Sequence, residues 1–370
     1  MSKKAVVSAM SKNLSKNLED LRTQIDAVDT ELVALLNRRA TMAQDVGRIK
    51  ARENLQAYVP ERERKIIERV LAVNSGPLPN VALKLIFKEI ISAALSLENP
   101  LQVAYLGPEA TFTHEASKQH FGLSAKMVPC PNIADVFSEV EAKRCAYGVV
   151  PLENSTEGMA SHTLERLESS SLKIVAEKVM RVRYHILSHA RDLLAVRKVY
   201  AHPQALELCR VFLEQRLPHA VVSDVSSTLR AAQLASEDAS AAAIATDMAS
   251  SLYDLPVLAV NSDSGTGTFA RFLVLGTDHT EPTGCDRTSL MFSLKDSPGV
   301  LARALSCFAA YNINMSRIES RPAGRQEWEH AFFVDIEGHQ SDAPVHAAIE
   351  ALKQICVSLS VFGSYPRGSF

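Results

Sequence analysis

A run of polar side chains follows directly after an apolar stretch near the middle of the chain. Val149 and Val150 favour a buried strand, and Pro151 should end its regular pairing. A carboxylate, an amide and two hydroxyls then follow at Glu153, Asn154, Ser155 and Thr156. An open α/β sheet exposes its ligand crevice at the end of such a strand, so these groups could bind and transform a ligand. Alternatively, they could cap a helix that begins near Ser161.

A second chemical signal is a cation inside an apolar heptad stripe. Apolar residues recur with 3-4 spacing at positions 18, 21, 25, 28, 32, 35, 42, 46 and 49, which predicts one long helix. Arg39 occupies a position where that stripe should be apolar, and a buried guanidinium requires anionic company. Lys50 lies about 20° round the helix and roughly 16 Å along it, so its side chain can lean towards Arg39.

Arg22 lies on the same stripe but much farther away. Four heptads separate it from Lys50, which is roughly 42 Å along one straight helix. An antiparallel copy of the helix from a second chain would bring its Arg22 beside Arg39 and Lys50. The alternative is that Arg22 is a solvated charge.

Two more helices should follow the first. Pro60 is suited to the first helical turn, and the acids after it to the positive end of the helix dipole. Gly and Pro at 76–80 break this helix, and an apolar third helix covers residues 81–97. Three such helices in under a hundred residues favour an intertwined all-α dimer over a monomeric core.

The charged positions of this helical region resemble the active site of the small all-helical chorismate mutases. The matching residues are Arg22, Arg39, Lys50, Arg62, Glu63 and Glu98. The resemblance implies an entwined dimer and a Claisen rearrangement driven by positioning and electrostatics, without a covalent step. By the same resemblance, the two arginines Arg22 and Arg39 hold carboxylates, and Glu63 takes the ring hydroxyl. Lys50 and Glu98 face the ether oxygen, and Arg62 belongs to the substrate-binding set.

Two positions depart from that pattern. Many members of the family carry an acid where Val59 stands, and some carry Gln where Glu98 stands. A carboxylate would repel an ether oxygen that gains negative charge, whereas a protonated acid can donate a hydrogen bond to it. Burial near Ile91, Ala94 and Leu95 should favour the protonated form of Glu98.

Composition limits the class of protein. A chain of 370 residues should form two or three domains, and its net charge of −2 gives no reason to expect nucleic acid or a membrane as partner. The six cysteines show neither C-x-x-C pairs nor metal-ligand spacing, which predicts reduced thiols, a cytoplasmic location and no metal. Residues 1–13 lack an apolar signal-peptide core and are expected to be a disordered tail.

Residues 101–278 alternate between strands and helices, which predicts an α/β region. They resemble prephenate dehydratase through Gly-Pro-Glu-Ala-Thr-Phe (107–112), Pro-Leu-Glu-Asn-Ser (151–155), His-Pro-Gln (202–204) and Arg271-Phe272. The resemblance implies two lobes, as in periplasmic binding proteins, with the active site between them. The reaction expels hydroxide and carbon dioxide, so it needs a proton donor and a desolvated site. The catalytic residues implied are Glu153, Asn154, Thr268 and Arg271, and the substrate-binding residues are Thr111, Ser155 and Phe272.

This region also departs from its family. Ala270 stands where the family usually has a threonine, Ala201 where it has a serine and Leu208 where it has a glutamine. Losing one well-placed hydrogen-bonding group commonly costs roughly 10²–10³ in rate. Thr268 would lie on the same strand face as Ala270, roughly 6–7 Å away. Our hypothesis is slow dehydration carried by Thr268 near Glu153; the alternative is a site that binds prephenate without dehydrating it.

The last region predicts the order βαββαβ, the ferredoxin-like arrangement. Two of its segments resemble the signatures of the ACT regulatory domain of phenylalanine-sensitive dehydratases. The implied phenylalanine-binding residues are Pro298, Gly299, Val300, Leu301, Glu319, Ser320, Arg321 and Pro322. Turn chemistry alone would explain either segment, because Ser-Pro-Gly starts helices and Arg-Pro ends strands.

Together, the three regions resemble the bifunctional chorismate mutase/prephenate dehydratase family. The expected divisions are a tail at 1–13, a mutase domain at 14–100, a dehydratase domain at 101–278 and an ACT domain at 286–364. The resemblance implies conversion of chorismate to prephenate and then to phenylpyruvate for phenylalanine synthesis. It also implies feedback inhibition by phenylalanine, no cofactor, and a homodimer or larger homo-oligomer. Two alternatives stay open: a phenylalanine-sensing module whose lobes only bind a ligand, and a mutase joined to a domain that decarboxylates prephenate without aromatising it.

Overall fold

The structure, a computed structural model, describes residues 3–53, 60–98, 101–154, 158–260, 269–322 and 329–368. The chain divides into two compact units, Met1–Pro100 and Leu101–Phe370. The predicted succession of an all-α region, a two-lobed α/β region and a ferredoxin-like α+β region is confirmed.

The first unit consists of the three expected helices. They are α1 (Lys3–Arg52), α2 (Pro60–Ala72) and α3 (Asn80–Glu98). Because α1 begins at Lys3, helix replaces most of the disordered tail that we expected at 1–13. The chain has neither glycine nor proline before Gly47, so nothing in the backbone stops the helix from continuing towards the N-terminus.

The heptad stripe of α1 is open to solvent in a single chain. All nine apolar positions that define it, from Leu18 to Ile49, are between 47 and 62% exposed. On α3, by contrast, Ile91 and Ala94 are buried. One copy of this unit therefore leaves uncovered an apolar face that runs along most of its longest helix.

The second unit begins with a two-lobed α/β region. The first lobe comprises β1 (Gln102–Leu106), α4 (Phe112–Phe121), β2 (Lys126–Cys130), α5 (Ile133–Glu141), β3 (Tyr147–Asn154), β4 (Gly158–Met159), α6 (Ser161–Ser169) and β5 (Lys173–Arg181). The second lobe comprises β6 (His185–Leu187), a 3₁₀ helix (Leu193–Ala195), β7 (Lys198–Ala201), α7 (Pro203–Arg216), β8 (Val221–Asp224), α8 (Thr228–Ser236), β9 (Ala241–Ala245), α9 (Asp247–Tyr253) and β10 (Val257–Val260). The chain then returns to the first lobe as β11 (Phe269–Gly276).

Each lobe has its own mixed sheet. The first sheet has the order β2-β1-β3-β11-β5, with β4 beside β3, and the second has the order β10-β6-β9-β7-β8. In the first sheet β11 runs antiparallel to both of its neighbours, β3 and β5. The returning strand therefore lies between the strand that carries Glu153 and the long strand that leads into the second lobe.

Strand β3 is longer than the sequence suggested. It continues to Asn154, so Glu153 and Asn154 belong to a strand and not to the loop that we expected after Pro151. The pairing of β3 with β1 ends at Val149, before Pro151. On the β1 side of the sheet, the missing N–H of Pro151 therefore breaks no hydrogen bond. On its other side, β11 has a bulge between Arg271 and Phe272 where it passes Pro151.

The helix expected near Ser161 is α6 (Ser161–Ser169). Its N-cap is Ala160, which makes no side-chain capping hydrogen bond. The N-cap position of α6 is therefore not occupied by a residue of the polar run. Ser155 and Thr156 themselves lie outside the described residues.

The ferredoxin-like region has the predicted order of elements. These are β12 (Asp286–Lys295), α10 (Val300–Ala310), β13 (Met315–Pro322), β14 (Glu329–Glu337), α11 (Ala343–Lys353) and β15 (Ser358–Pro366). The antiparallel sheet has the order β13-β14-β12-β15. Helix α10 starts two residues later than the expected Pro298, because Gly299 is its N-cap and adopts a left-handed conformation with φ 75°.

The ferredoxin-like sheet packs on the first-lobe sheet, so the two share one hydrophobic core. Buried residues from both sheets belong to it, including Leu152 and Ile174 from the first lobe and Phe333, Phe362 and Tyr365 from the last region. Gly363 lies directly against the backbone of Ile174, where any side chain would collide with it. Strand β15 can therefore approach β5 closely only because residue 363 lacks a Cβ atom.

All six cysteines are free thiols, as expected. None of the helices in the described part of the chain combines the length and apolar character that a membrane span needs.

Candidate active sites

The structure brings Arg39, Lys50 and Glu98 together in the helical unit. Arg39 and Lys50 come from α1, and Glu98 is the last residue of α3. Gly47 lies beneath the Glu98 side chain, and a Cβ atom at residue 47 would come within 2.8 Å of the Cβ of Glu98. The only glycine of α1 therefore lets the end of α3 cross close to the two cations.

Burial and charge act in opposite directions in this cluster. Burial raises the pKa of Glu98, while the charges of Lys50 and Arg39 oppose that rise. Burial lowers the pKa of Arg39, and the Glu98 carboxylate opposes that change. Within the described residues, the Oε2 atom of Glu98 is buried and has no hydrogen-bond partner. A ligand in this cluster would meet two cations and a carboxyl group that is easier to protonate than usual.

The other residues predicted for this site are not all in the cluster. Arg22 is exposed and lies on the same unbroken helix as Lys50, roughly 42 Å away at 1.5 Å per residue. Glu63 is half-buried in the first turn of α2, and its neighbour Arg62 is exposed. A single chain therefore supplies the core of the predicted site without Arg22.

In the second unit, Glu153 and Arg271 are direct neighbours across the β3–β11 pairing. Ala270 is the register partner of Asn154 on β3 and of Met180 on β5. Two of the other residues predicted for dehydration, Ser155 and Thr268, lie outside the described residues. The cross-strand register thus joins predicted residues that are more than a hundred positions apart in the sequence.

Arg271 is not open to solvent but is bound inside the protein. It is 6% exposed, and its guanidinium forms ion pairs with Glu177 at 2.6 Å and with Asp335 at 2.5 Å. It also donates a hydrogen bond to the hydroxyl of Tyr365 at 3.0 Å, and Arg287 makes a second ion pair with Glu177 at 2.6 Å. Burial alone would lower the pKa of Arg271, but Tyr365, Asp335 and Glu177 together raise it. Arg271 therefore links the first lobe to the ferredoxin-like sheet.

A cavity of about 210 Å³ lies at this junction. Its lining includes Glu153, Ala270 and Arg271 from the first lobe and Ser316, Arg317 and Asp335 from the last region. Arg317 forms an ion pair with Glu153. No residue pattern indicated that residues of the last region would contact Glu153, because the contact spans more than 160 residues.

A larger cavity of about 300 Å³ lies in the cleft between the two lobes. It is lined by three cations, Lys178, Arg181 and Arg183, together with Glu115 and Asp247. Burial is the main cause that raises the pKa of Glu115, with Asp247 adding to it. Val179 lines both cavities, so they adjoin each other. We did not single out these three cations, although they fall within six consecutive residues, 178–183.

Two of the residues predicted to bind substrate, Thr111 and Phe272, contribute to the fold itself. Thr111 is the N-cap of α4: its hydroxyl accepts a hydrogen bond from the His114 amide at 3.3 Å and donates one to the Pro108 carbonyl at 3.0 Å. Phe272 is 2% exposed and packs in the core. A role for either residue in binding substrate stays a prediction.

The predicted phenylalanine-binding segments lie on neighbouring parts of the ferredoxin-like region. A cavity of about 190 Å³ is lined by Gly299, Val300 and Leu301, together with Phe332 of β14. In the second segment, Ser320 is the register partner of Phe332, while Arg321 forms an ion pair with Glu168 of α6 at 2.7 Å. Roles for Pro298 and Glu319 stay predictions, as does that of Pro322, whose side chain lies outside the described part of the structure.

Three family models match consecutive stretches of the chain: chorismate mutase type II over residues 21–99, prephenate dehydratase over 103–280 and the ACT domain over 288–354. The bifunctional chorismate mutase/prephenate dehydratase of Aquifex aeolicus is 46% identical over 356 residues, which cover 95% of this chain and 98% of that protein. The protein of the same name from Pseudomonas aeruginosa is 39% identical over the same shares. The chain belongs to the bifunctional chorismate mutase/prephenate dehydratase family.

Membership of this family makes the chain an enzyme with chorismate mutase and prephenate dehydratase activities, both in phenylalanine biosynthesis. The second unit is also similar to a solved structure, the prephenate dehydratase of Arthrobacter aurescens in complex with L-Phe. The two are 30% identical, with a TM-score of 0.66, and the match covers 72% of this chain and 90% of that one. The three regions predicted from the sequence are confirmed as mutase, dehydratase and ACT regions.

Proposed function

We propose that chorismate rearranges to prephenate at the cluster formed by Arg39, Lys50 and Glu98. The observation that carries this proposal is their convergence where Gly47 lets α3 cross α1. The cations hold the carboxylates of chorismate and place its reacting carbons together. Lys50 and protonated Glu98 donate to the ether oxygen, whose negative charge grows as its bond to the ring breaks. Glu63 receives the ring hydroxyl.

The mutase site is completed by a second copy of the chain. The exposed apolar stripe of α1 needs a cover, and Arg22 lies on that stripe but far from its own cluster. In an antiparallel pairing of two α1 helices, each stripe covers the other. Arg22 of each chain then reaches the cluster of its partner, with Arg62 adding positive charge near the entrance.

Prephenate, the product of the first reaction, is then dehydrated where the two adjoining cavities of the second unit meet. Lys178, Arg181 and Arg183 offer positive charge in the cleft between the lobes, which suits a dicarboxylate. Glu153 lies in the neighbouring cavity, and Val179 separates the two. Glu153, Asn154 and Thr268 would orient the leaving hydroxyl and supply its proton. Arg271 would act by holding this part of the sheet in place.

The ACT region binds phenylalanine, the end product of the pathway, in the cavity beside Gly299–Leu301. The complex of a related prephenate dehydratase with L-Phe supports phenylalanine as a ligand of this chain, and the ACT signatures support the choice of this cavity. Phenylalanine inhibits dehydration by binding more tightly to one arrangement of the unit than to another.

The test begins with purified protein incubated with chorismate and the products followed over time. Prephenate should appear first and phenylpyruvate second. Lys50→Ala should block the first step but still convert added prephenate, whereas Arg183→Gln should accumulate prephenate. If phenylpyruvate forms neither from chorismate nor from added prephenate, the dehydratase assignment is wrong.

Titration calorimetry tests the regulatory site. Wild type should bind phenylalanine, and Gly299→Trp should not, because the new side chain would occupy the cavity. Gly284→Trp is a matched control: both glycines have a left-handed φ (75° and 81°) and no atom within 4 Å of an added Cβ. Equal loss of binding in both variants would show that the effect is not specific to the cavity.

A further inference from the structure

Strand β13 of the ACT region carries three charged residues at alternate positions, and two of them contact the dehydratase region. Arg317, Glu319 and Arg321 alternate along it, so they share one face. Their register partners on β14 are Asp335, Phe333 and Ala331. Asp335 binds Arg271, and Phe333 and Ala331 belong to the core shared with the first lobe. This face of β13 is therefore directed at the dehydratase sheet.

Two ion pairs connect this face to the dehydratase region. Arg317 pairs with Glu153, and the side chains of both are only 23% exposed. Arg321 pairs with Glu168 at 2.7 Å, and its guanidinium lies 3.7 Å from the Sδ atom of Met291. The two arginines are four residues apart, about 13 Å along the strand. One short strand thus contacts both the candidate catalytic carboxylate and a helix beyond it.

The opposite face of the same strand lies on the side of the sheet that carries the cavity beside Gly299–Leu301, the proposed phenylalanine site. Ser320 pairs in register with Phe332, which lines that cavity together with Gly299, Val300 and Leu301. Strand β13 pairs with β14 from Arg317 to Pro322, so Ser320 and Arg317 belong to one continuous paired segment. A ligand that displaces β13 at Ser320 must therefore also displace Arg317.

We propose that Arg317 is a positioning residue of the dehydratase site that the ACT region contributes. Its guanidinium holds the Glu153 carboxylate at the wall of the cavity, in the orientation that dehydration needs. Phenylalanine inhibits by drawing β13, and Arg317 with it, away from Glu153. The inference rests on the proposed dehydratase function and adds to it a residue from outside the dehydratase domain.

The chemical consequence follows from the geometry of the ion pair. Without Arg317, Glu153 keeps its place in β3, but its carboxylate can rotate away from the reacting hydroxyl. A misplacement of about 1 Å can cost about 100-fold in rate. Since Arg317 binds Glu153 and not the substrate, its loss should lower kcat more than it raises KM.

The experiment compares wild type with Arg317→Gln, Arg317→Lys and Arg144→Gln, using prephenate as substrate. Arg144 forms an exposed ion pair with Glu139 in the same unit, so Arg144→Gln is a matched loss of an arginine. Mutase activity, measured in the same samples, reports on folding and concentration. We expect Arg317→Gln to lower the dehydratase kcat by about 10- to 100-fold, with KM within about threefold of wild type. Arg317→Lys should recover part of this loss because it keeps the charge.

Phenylalanine supplies the readout that a merely structural role would not change. Calorimetry should show that Arg317→Gln still binds phenylalanine, while its residual dehydratase activity is insensitive to it. The inference is overturned if Arg317→Gln keeps the kcat and phenylalanine inhibition of wild type, or if Arg144→Gln loses as much activity. Absence of phenylpyruvate from wild type would instead refute the dehydratase function itself, so the two failures are distinct.

Discussion

The helical unit and the second unit deal with their apolar surface in opposite ways. The longest helix, α1, carries a stripe whose nine positions are all at least 47% exposed in one chain. In the second unit, the first-lobe sheet and the ACT sheet bury a common core and enclose the ion pairs of Arg271. The helical unit leaves its apolar stripe exposed in a single chain, whereas the second unit buries its apolar surface between its own two sheets.

The candidate sites differ in the same way. The helical unit gathers Arg39, Lys50 and Glu98 from one chain, and we propose that Arg22 of a second copy completes the cluster. The second unit completes the surroundings of Glu153 with Arg317 and Asp335, which come from its own last region. In our proposal, a second copy completes one site and a later domain of the same chain completes the other, which would couple only the second site directly to a regulatory region.

The largest expected effect is on the stability of the second unit. Arg271→Met keeps an elongated side chain but removes the guanidinium that pairs with the buried carboxylates of Glu177 and Asp335. The loss should destabilise the second unit by about 3–5 kcal/mol. Urea unfolding followed by circular dichroism and by dehydratase activity measures this loss. Mutase activity in the helical unit should be unchanged.

Arg144→Met provides the control, because the Arg144–Glu139 pair lies on the surface and should contribute little. An unfolding midpoint for Arg271→Met equal to that of the control would show that the buried pairs do not hold the two regions together. The difference between the helical unit and the second unit would then rest on apolar packing alone.

The sequence predicted the helical site better than the α/β site for a physical reason. Helical periodicity relates residues of one segment, so it indicated that Arg39 and Lys50 lie near each other and that Arg22 lies far away. The resemblance to chorismate mutases pointed to Glu98, and its apolar neighbours indicated the raised pKa that burial gives it. Pairing between distant strands has no comparable local signal. The ion pairs of Arg271 with Glu177 and Asp335, and of Arg317 with Glu153, depend on how two sheets pack.

Two predicted element boundaries were wrong because the tertiary context outweighed local preference. Pro151 did not end β3, because β1 had already stopped pairing there. Gly299 delayed the start of α10, because it adopts a left-handed conformation that an ordinary residue avoids. Both differences arise from neighbours or backbone angles that a residue pattern does not contain.

The second prediction tests how complete the dehydratase site is within its own chain. Thr268→Val should lower phenylpyruvate formation from prephenate by about 100-fold if Thr268 has taken over the role of the threonine that Ala270 replaces. Ala270→Thr should raise the rate of wild type and rescue Thr268→Val. A wild type that is fast and unaffected by Thr268→Val would remove Thr268 from the mechanism. Product that appears only in Ala270→Thr would show that the natural site binds prephenate without dehydrating it.

The third prediction concerns the pH dependence of the mutase. Below the raised pKa of Glu98 the protonated acid donates to the ether oxygen, and above it the carboxylate can only repel that oxygen. Mutase kcat should therefore fall as pH rises through this pKa, by up to about tenfold per pH unit. Glu98→Gln should abolish this fall, while Glu68→Gln on the exposed face of α2 should keep it. If wild type and Glu98→Gln give the same pH–rate profile, Glu98 is not the donor.

The central claim is that the mutase site needs two chains, and subunit mixing tests it most directly. Arg22→Ala and Lys50→Ala chains, each inactive alone, are mixed under conditions where subunit exchange is demonstrated. One of the two sites in each heterodimer then has every wild-type residue, so about one quarter of wild-type activity should return with random pairing in a two-fold dimer. Mixing Arg39→Ala with Lys50→Ala should restore nothing, because both residues belong to the same chain's cluster. Equal activity in the two mixtures, whether present or absent, would contradict a shared site.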